Sequence, residues 1–186
     1  MVTPANLRLD NLLASLSLNL AEEGQQALER ASGLTGSATT ALLALEEFLD
    51  GAHVGRLAAV LGLTHSGAVR VVTQLERDGL AERHEGADRR RVEVRLTTKG
   101  RKRSRQARAA RDEVLSSASS GLTVDEGRAL EALLDKVVSA RVASRVEWRQ
   151  AKDIGAWWCR TCDFTACGRP EGRCPAQLTA AQAIAQ

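Results

Sequence analysis

The sequence predicts a mainly α-helical protein with one small β-wing, and three observations between Leu57 and Gly100 carry that prediction. Leu57, Ala58 and Leu61 fall on one face of a short helix, and Gly62 lets the backbone turn without a Cβ clash. Thr64 then offers a hydroxyl as N-cap to a second helix, in which Ala68, Val71, Val72 and Leu75 recur at the spacing of one buried face. After Gly79 stops that helix, Leu80 to Arg83 read as a short strand. Val92, Val94 and Leu96 alternate with Glu93 and Arg95, the period-two pattern of a half-buried strand. Helix, turn, helix, strand, loop, strand is the order of a winged helix-turn-helix.

The second helix is the reading element of such a motif. Its other face carries His65, Ser66, Gly67, Arg70, Thr73 and Gln74, small and hydrogen-bonding groups suited to base edges in a major groove. Between the strands, residues 84–91 are too polar to bury and rich in guanidinium groups, so they form the wing.

The stretch resembles the MarR family of bacterial transcription regulators. The resemblance lies in Asp88-Arg89-Arg90-Arg91, followed by Leu96-Thr97 and Gly100-Arg101, together with Leu75, Gly79-Leu80 and Arg83 after the reading helix. It implies that Arg90, the second Arg of the triplet, enters the minor groove with Asp88 as its anchor. Arg91 stands where the family usually has a small residue. The resemblance covers roughly residues 6–150. It further implies a homodimer built by the first helix and the last two, and a small-molecule effector in the crevice between those helices and the DNA-reading heads.

Charge supports a polyanionic partner. The chain is +3 overall, yet Arg83 to Arg111 holds twelve Lys or Arg against Glu85, Asp88 and Glu93, a net of +9, and the remainder is acidic. Such a cluster supplies salt-dependent DNA affinity through counterion release. Arg83, Arg89, Arg91, Lys99 and Arg101 are expected at phosphates, and Ser66, Arg70 and Gln74 at base edges. No leader peptide and no membrane-length apolar run is read, so a cytoplasmic protein is expected.

The remaining elements follow in order. Residues 1–36 read as a dimerisation helix and loop, with Leu9, Leu12, Leu13, Leu16 and Leu20 on one stripe, suited either to a partner chain or to packing within this one. Residues 37–100 read as the DNA-binding domain, opening with a helix capped by Ser37 and running through Phe48. The positioning helix is placed from His53 to Leu61, with no chemistry assigned to His53. Residues 101–154 read as two C-terminal dimerisation helices. Arg101, Arg105 and Arg108 share a face of the first, suited to a phosphate backbone, and Ser116 to Gly121 interrupt it. Thr123 and Glu126 are spaced as a capping box for the second, which carries Leu130, Leu133, Leu134, Val137, Val138 and Val142. The Ala- and Gln-rich residues 177–186 read as a fraying tail.

Every cysteine lies in residues 155–176. Cys159, Cys162, Cys167 and Cys174 are spaced C-x2-C-x4-C-x6-C, with Gly168, Pro170 and Gly172 between them and Pro175 after. Four thiolates in so short a segment suit zinc or an iron-sulfur cluster, or metal-free thiols that form disulfides on oxidation. Trp157, Trp158 and Phe164 lie close by.

The reading is a homodimeric, sequence-specific regulator, a repressor, on a pseudo-palindromic site in double-stranded DNA, and not an enzyme. Two alternatives from other classes are a thiol-disulfide redox protein using Cys159 and Cys162, and a winged-helix adaptor that binds protein.

Overall fold

The computed structural model describes residues 4–85, 92–146 and 158–184. In chain order the elements are α1 (Pro4–Ser32), α2 (Gly36–Ala44), a π-helical turn that continues it (Leu45–Leu49), β1 (Ala52–His53), α3 (Val54–Leu61) and α4 (His65–Arg77). Then follow β2 (Ala81–Glu85), β3 (Val92–Leu96), α5 (Thr98–Ser119), α6 (Val124–Val146) and α7 (Pro175–Ile184). The expected class, mainly helical with a small wing, is what forms.

The main core lies among α2, the π-helical turn, α3, α4 and the sheet. Leu42, Leu45, Leu49, Leu57, Val72, Leu75 and Val94 are almost wholly removed from water. Each buried side chain of this size contributes about 2 kcal/mol by transfer alone. The sheet has three antiparallel strands in the order β1-β3-β2, with Ala81 opposite Leu96 and Glu85 opposite Val92 in the wing hairpin. The third strand, β1, pairs Ala52 with Val94 and His53 with Glu93. Two residues are too short to show a period in sequence, and the strand exists through its β3 pairing.

Several boundaries differ from expectation. Helix α2 is preceded by Thr35 without a side-chain cap, not capped by Ser37, and Glu29 Oε1 instead accepts from Gly36 N–H at 2.8 Å. His53 precedes the positioning helix as its N-cap, its Nδ1 accepting from Arg56 N–H. Helix α5 runs through the serines to Ser119, because serine tolerates a helix exposed to water. The expected tail is the helix α7: Pro175 suits its first position, and Ala176 and Ala180, one turn apart, are buried in a cluster with Val142 of α6.

Helix α1 packs against α5 with its C-terminal half, where Ala27 and Leu28 are buried. Its N-terminal half leaves Leu9, Leu12, Leu13 and Leu16 between 39% and 55% exposed, so packing within the chain does not account for the stripe. On α6 the capping box forms, Thr123 N–H donating to Glu126 Oε2 at 2.8 Å, while Leu130, Leu133, Leu134, Val137 and Val138 face outward.

Candidate nucleic-acid interface and cysteine segment

Helix α4 is built as the sequence predicts. Thr64 Oγ1 accepts from Gly67 N–H at 3.1 Å and lies 3.2 Å from Ser66 Oγ, so the first turn is fixed by its own side chains. Ala68, Val72 and Leu75 are fully buried, which turns His65, Ser66, Arg70 and Thr73 to solvent with Gly67 and Gln74 at the margin. Val69 shares the outer face at 36% exposure; counting only polar groups overlooks it.

The wing stem is fastened to this helix. The Arg83 guanidinium donates to Thr73 Oγ1 at 3.1 Å and pairs with Glu76 at 2.8 Å, placing β2 beside the outer face of α4. The wing tip, with Asp88, Arg89, Arg90 and Arg91, falls outside the described residues. A second fastening comes from the start of α5. Thr97 Oγ1 donates to Gly79 O at 2.8 Å, Lys99 Nζ to Asp78 O at 2.7 Å, and Thr97 N–H to Leu80 O at 3.1 Å. Lys99, expected at a phosphate, thus holds the C-terminal end of α4. Gly100 permits this approach, since a Cβ there would lie 2.0 Å from Leu80 O.

Acids of the chain meet two of the three arginines of the α5 stripe. Arg101 pairs with Asp50 at 2.6 Å and Glu46 at 3.5 Å, and Arg105 approaches Glu46 at 3.9 Å. Arg108 is buried against Glu47 at 2.7 Å. Arg101 and Arg108 are thus paired with acids of the chain, while Arg105 stays largely exposed. The reason is that acids from the end of α2 meet this face, a pairing that a local charge count does not register. Burial would raise the Asp50 carboxyl, but the Leu96 N–H at 3.0 Å and Arg101 outweigh it and hold Asp50 below the usual carboxylate range.

A family model described as "MarR family" matches residues 32–91, the span of this motif from the end of α1 through the wing. Over that span the chain is similar to the MarR family. Solved structures agree. The chain is similar to MepR, a transcription regulator of the Staphylococcus aureus multidrug efflux pump MepA, at 26% identity and a TM-score of 0.62, over 70% of this chain and 96% of that one. A MepR mutant bound to an oligodeoxyribonucleotide matches at 27% identity and a TM-score of 0.55, again over 70% and 96%. CouR from Rhodococcus jostii RHA1, bound to p-coumaroyl-CoA, matches at 26% identity and a TM-score of 0.51, over 68% and 88%. No curated protein sequence matches the chain. Among the described residues, no helix is long and apolar enough to cross a membrane.

The cysteine segment lies beyond the stretch matched by the MarR-family model, yet it folds onto the winged domain. Tight turns shape it, with Cys162 N–H donating to Cys159 O, Arg169 N–H to Phe164 O and Arg173 N–H to Gly168 O. The Phe164 ring stacks on Phe48 of the π-helical turn, centroids 5.2 Å apart and planes 13° from parallel. Glu47 Oε1 accepts from Phe164 N–H at 2.7 Å, Arg108 donates to Cys162 O at 2.6 Å, and Arg111 to Thr161 O. Sequence reading missed this docking.

Cys159 and Cys174 are buried, and Cys162 and Cys167 half-buried. A hydrogen bond with Cys159, aided by Arg111 and Arg108, draws the Cys162 thiol down to about 7 despite its burial. The same bond, and then burial, push Cys159 up, while burial first and the neighbouring Cys174 raise Cys167 to about 11. Among the described residues, no three His, Cys, Asp or Glu side chains are arranged to hold a metal ion. All four cysteines border one open cleft of about 880 Å³, which Val137, Val138 and Val142 of α6 flank.

Proposed function

We propose that the protein is a homodimeric, sequence-specific DNA-binding transcription regulator, acting as a repressor on a pseudo-palindromic site in the cytoplasm. The observation that carries the reading is the Arg83 bridge to Thr73 and Glu76, which makes the outer face of α4 and the wing stem one surface. A duplex that receives α4 in its major groove then meets the wing at the adjoining minor groove. Ser66, Arg70 and Gln74 read base edges, and Arg90 responds to minor-groove width. The DNA-bound MepR mutant supports that use of the fold.

Two-fold pairing would cover the exposed leucines of α1 and the apolar outer face of α6. Regulation then acts on the spacing of the two heads. An open groove between α1 and α5, lined by Leu20, Glu23, Arg30, Glu113 and Val114 among others, is where a small-molecule effector would bind, as the ligand-bound CouR illustrates for its own fold. The four cysteines supply a metal centre, zinc or iron-sulfur.

The test uses a duplex selected by the wild-type protein from a random pool. Arg90→Ala is expected to lose about tenfold or more in affinity at matched salt while remaining a dimer. Unchanged affinity would remove the wing from the interface.

A further inference from the structure

We propose that the cysteine segment is a reversible thiol-disulfide switch, in which a hydroperoxide joins Cys159 to Cys162 and Cys167 to Cys174, and that its state reaches the base of the wing through Phe164. The transmission to DNA rests on the regulator reading; the pairing does not.

The fold sorts the four thiols into two pairs. Cys162 N–H donates to Cys159 O at 3.0 Å, a tight turn that brings these two residues within the span of a disulfide. Their thiols are in hydrogen-bond contact. Arg173 N–H donates to Gly168 O at 2.8 Å and Gly172 N–H to Arg169 O at 3.1 Å, so the chain doubles back there. Cys167 and Cys174, the next residues outward, are thereby set side by side, and their thiols also make hydrogen-bond contact. Each pair joins one half-buried thiol, Cys162 or Cys167, to one buried thiol, Cys159 or Cys174. All four border the open cleft beside α6, so a small oxidant reaches the half-buried sulfurs without unfolding the segment. Arg108 and Arg111 hold the Cys162 and Thr161 carbonyls, which sets two cations near the Cys162 sulfur, the surroundings in which thiols react.

The electrons balance with hydrogen peroxide as oxidant. The half-buried thiol loses its proton and attacks one peroxide oxygen; the O–O bond breaks, the departing hydroxide takes up a proton to become water, and the sulfur is left as a sulfenic acid. The buried thiol of the same pair then attacks that sulfur, the S–O bond breaks, and a second water leaves. Each pair thus gives two electrons and two protons to one peroxide, and a dithiol reductant reverses the bond by exchange. A sulfur in a disulfide is no longer a thiolate ligand, so the oxidised pairs and a bound metal exclude each other.

Oxidation acts directly on the docking of Phe164. Cys167 Sγ donates to Phe164 O at 3.4 Å, and a disulfide sulfur has no proton to give, so this bond is lost. Closing the other pair draws its sulfurs from hydrogen-bond contact to about 2 Å and tightens the turn whose carbonyls Arg108 and Arg111 hold. Phe164 N–H donates to Glu47 Oε1 at 2.7 Å, its ring stacks on Phe48, and Arg108 pairs with Glu47. Where the π-helical turn ends, Asp50 Oδ1 accepts from Leu96 N–H and Gly51 N–H donates to Val94 O, both on β3. A shift of Phe164 therefore withdraws the outer support of the turn that holds the wing strand.

The full chain, reduced and then treated with about two equivalents of hydrogen peroxide, is expected to lose four hydrogens by mass and to yield peptides linked Cys159 to Cys162 and Cys167 to Cys174. Dithiothreitol should restore the mass. Links across the two pairs, sulfinic acids without disulfides, or thiols kept reduced by a metal that stays bound overturn the switch. Oxidised protein should bind the selected duplex about tenfold more weakly than reduced protein, within the usual range for coupled sites. With Cys159→Ser, Cys162→Ser, Cys167→Ser and Cys174→Ser combined and the helical circular dichroism kept, peroxide should leave affinity unchanged; a remaining response would place the oxidation elsewhere and overturn the proposal. In Phe164→Leu, which still forms both disulfides, the difference should fall below about twofold. Equal affinities of reduced and oxidised wild type overturn the transmission. If neither form binds DNA though both disulfides form, the regulator reading fails with the transmission, and the pairing stands.

Discussion

Replacing Gly100 by Ala tests whether the start of α5 fixes the geometry of the DNA-reading head. The new Cβ would lie 2.0 Å from Leu80 O and 2.9 Å from Leu80 C, both backbone atoms that no rotamer change can withdraw. A carbon and a carbonyl oxygen approach to about 3.3 Å at closest, so the two segments must part by roughly 1 Å. Overpacking of this kind costs about 1–3 kcal/mol. The displacement also strains the Thr97 and Lys99 bonds to Leu80, Gly79 and Asp78, and losing one adds about 1 kcal/mol. A total of about 3 kcal/mol corresponds to a fall in Tm of roughly 6–12 °C for a chain of this size. Thermal unfolding followed by circular dichroism reads the stability. Affinity for the selected duplex, measured well below the new Tm, should fall as well, because the end of α4 and the base of the wing separate. A Tm within about 2 °C of wild type, with unchanged affinity, would refute the claim that this contact sets the head.

Three further outcomes are expected. Val69→Ala should weaken binding about fivefold to duplexes with thymine under α4, and replacing that thymine by uracil, which removes the methyl, should weaken wild type but not the variant. Because Asp50 titrates lower folded than unfolded, its stabilising effect is complete above the ordinary Asp value of about 3.9 and is lost as pH falls through the lowered folded value; acid melts of Asp50→Asn should lack that component, and superimposable profiles would count against the Leu96 and Arg101 contacts. Leu134→Glu should raise the dimer dissociation constant at least about a hundredfold in sedimentation experiments, since a two-fold interface carries each substitution twice; an unaltered dimer would exclude this face of α6.

What was legible in the sequence was local. The Thr64 cap, the buried Ala68, Val72 and Leu75, the β2–β3 pairing and the Thr123–Glu126 box depend on residues a few positions apart, so their spacing shows them. The acid partners of the α5 arginines are not local. Arg101 meets Asp50 from 51 residues away, and a window that sees only the basic run counts it as free charge. Lys99 and Gly100 were visible as residue types, but their contacts with Asp78 and Leu80 arise only once α5 folds back on the end of α4. The docking of the cysteine segment is more remote still, Phe164 meeting Glu47 across 117 residues. Its one sequence signal was a cluster of aromatic residues in a chain otherwise poor in them.

The π-helical turn ties these observations together. Leu45 and Leu49 fill the core of the winged domain, Glu46 and the following Asp50 hold Arg101, and Glu47 and Phe48 receive the cysteine segment. A regular helix presents one face to each neighbour, whereas local π-helical turns recur where a helix must serve a functional site. This turn has three neighbours, and the third lies outside the stretch that the MarR-family model matches. The acids of the turn thus tie α5 to the winged domain through Arg101 and Arg108. A signal that shifts this turn need not touch the reading helix to matter, because Asp50 and Gly51 hold the strand from which the wing extends.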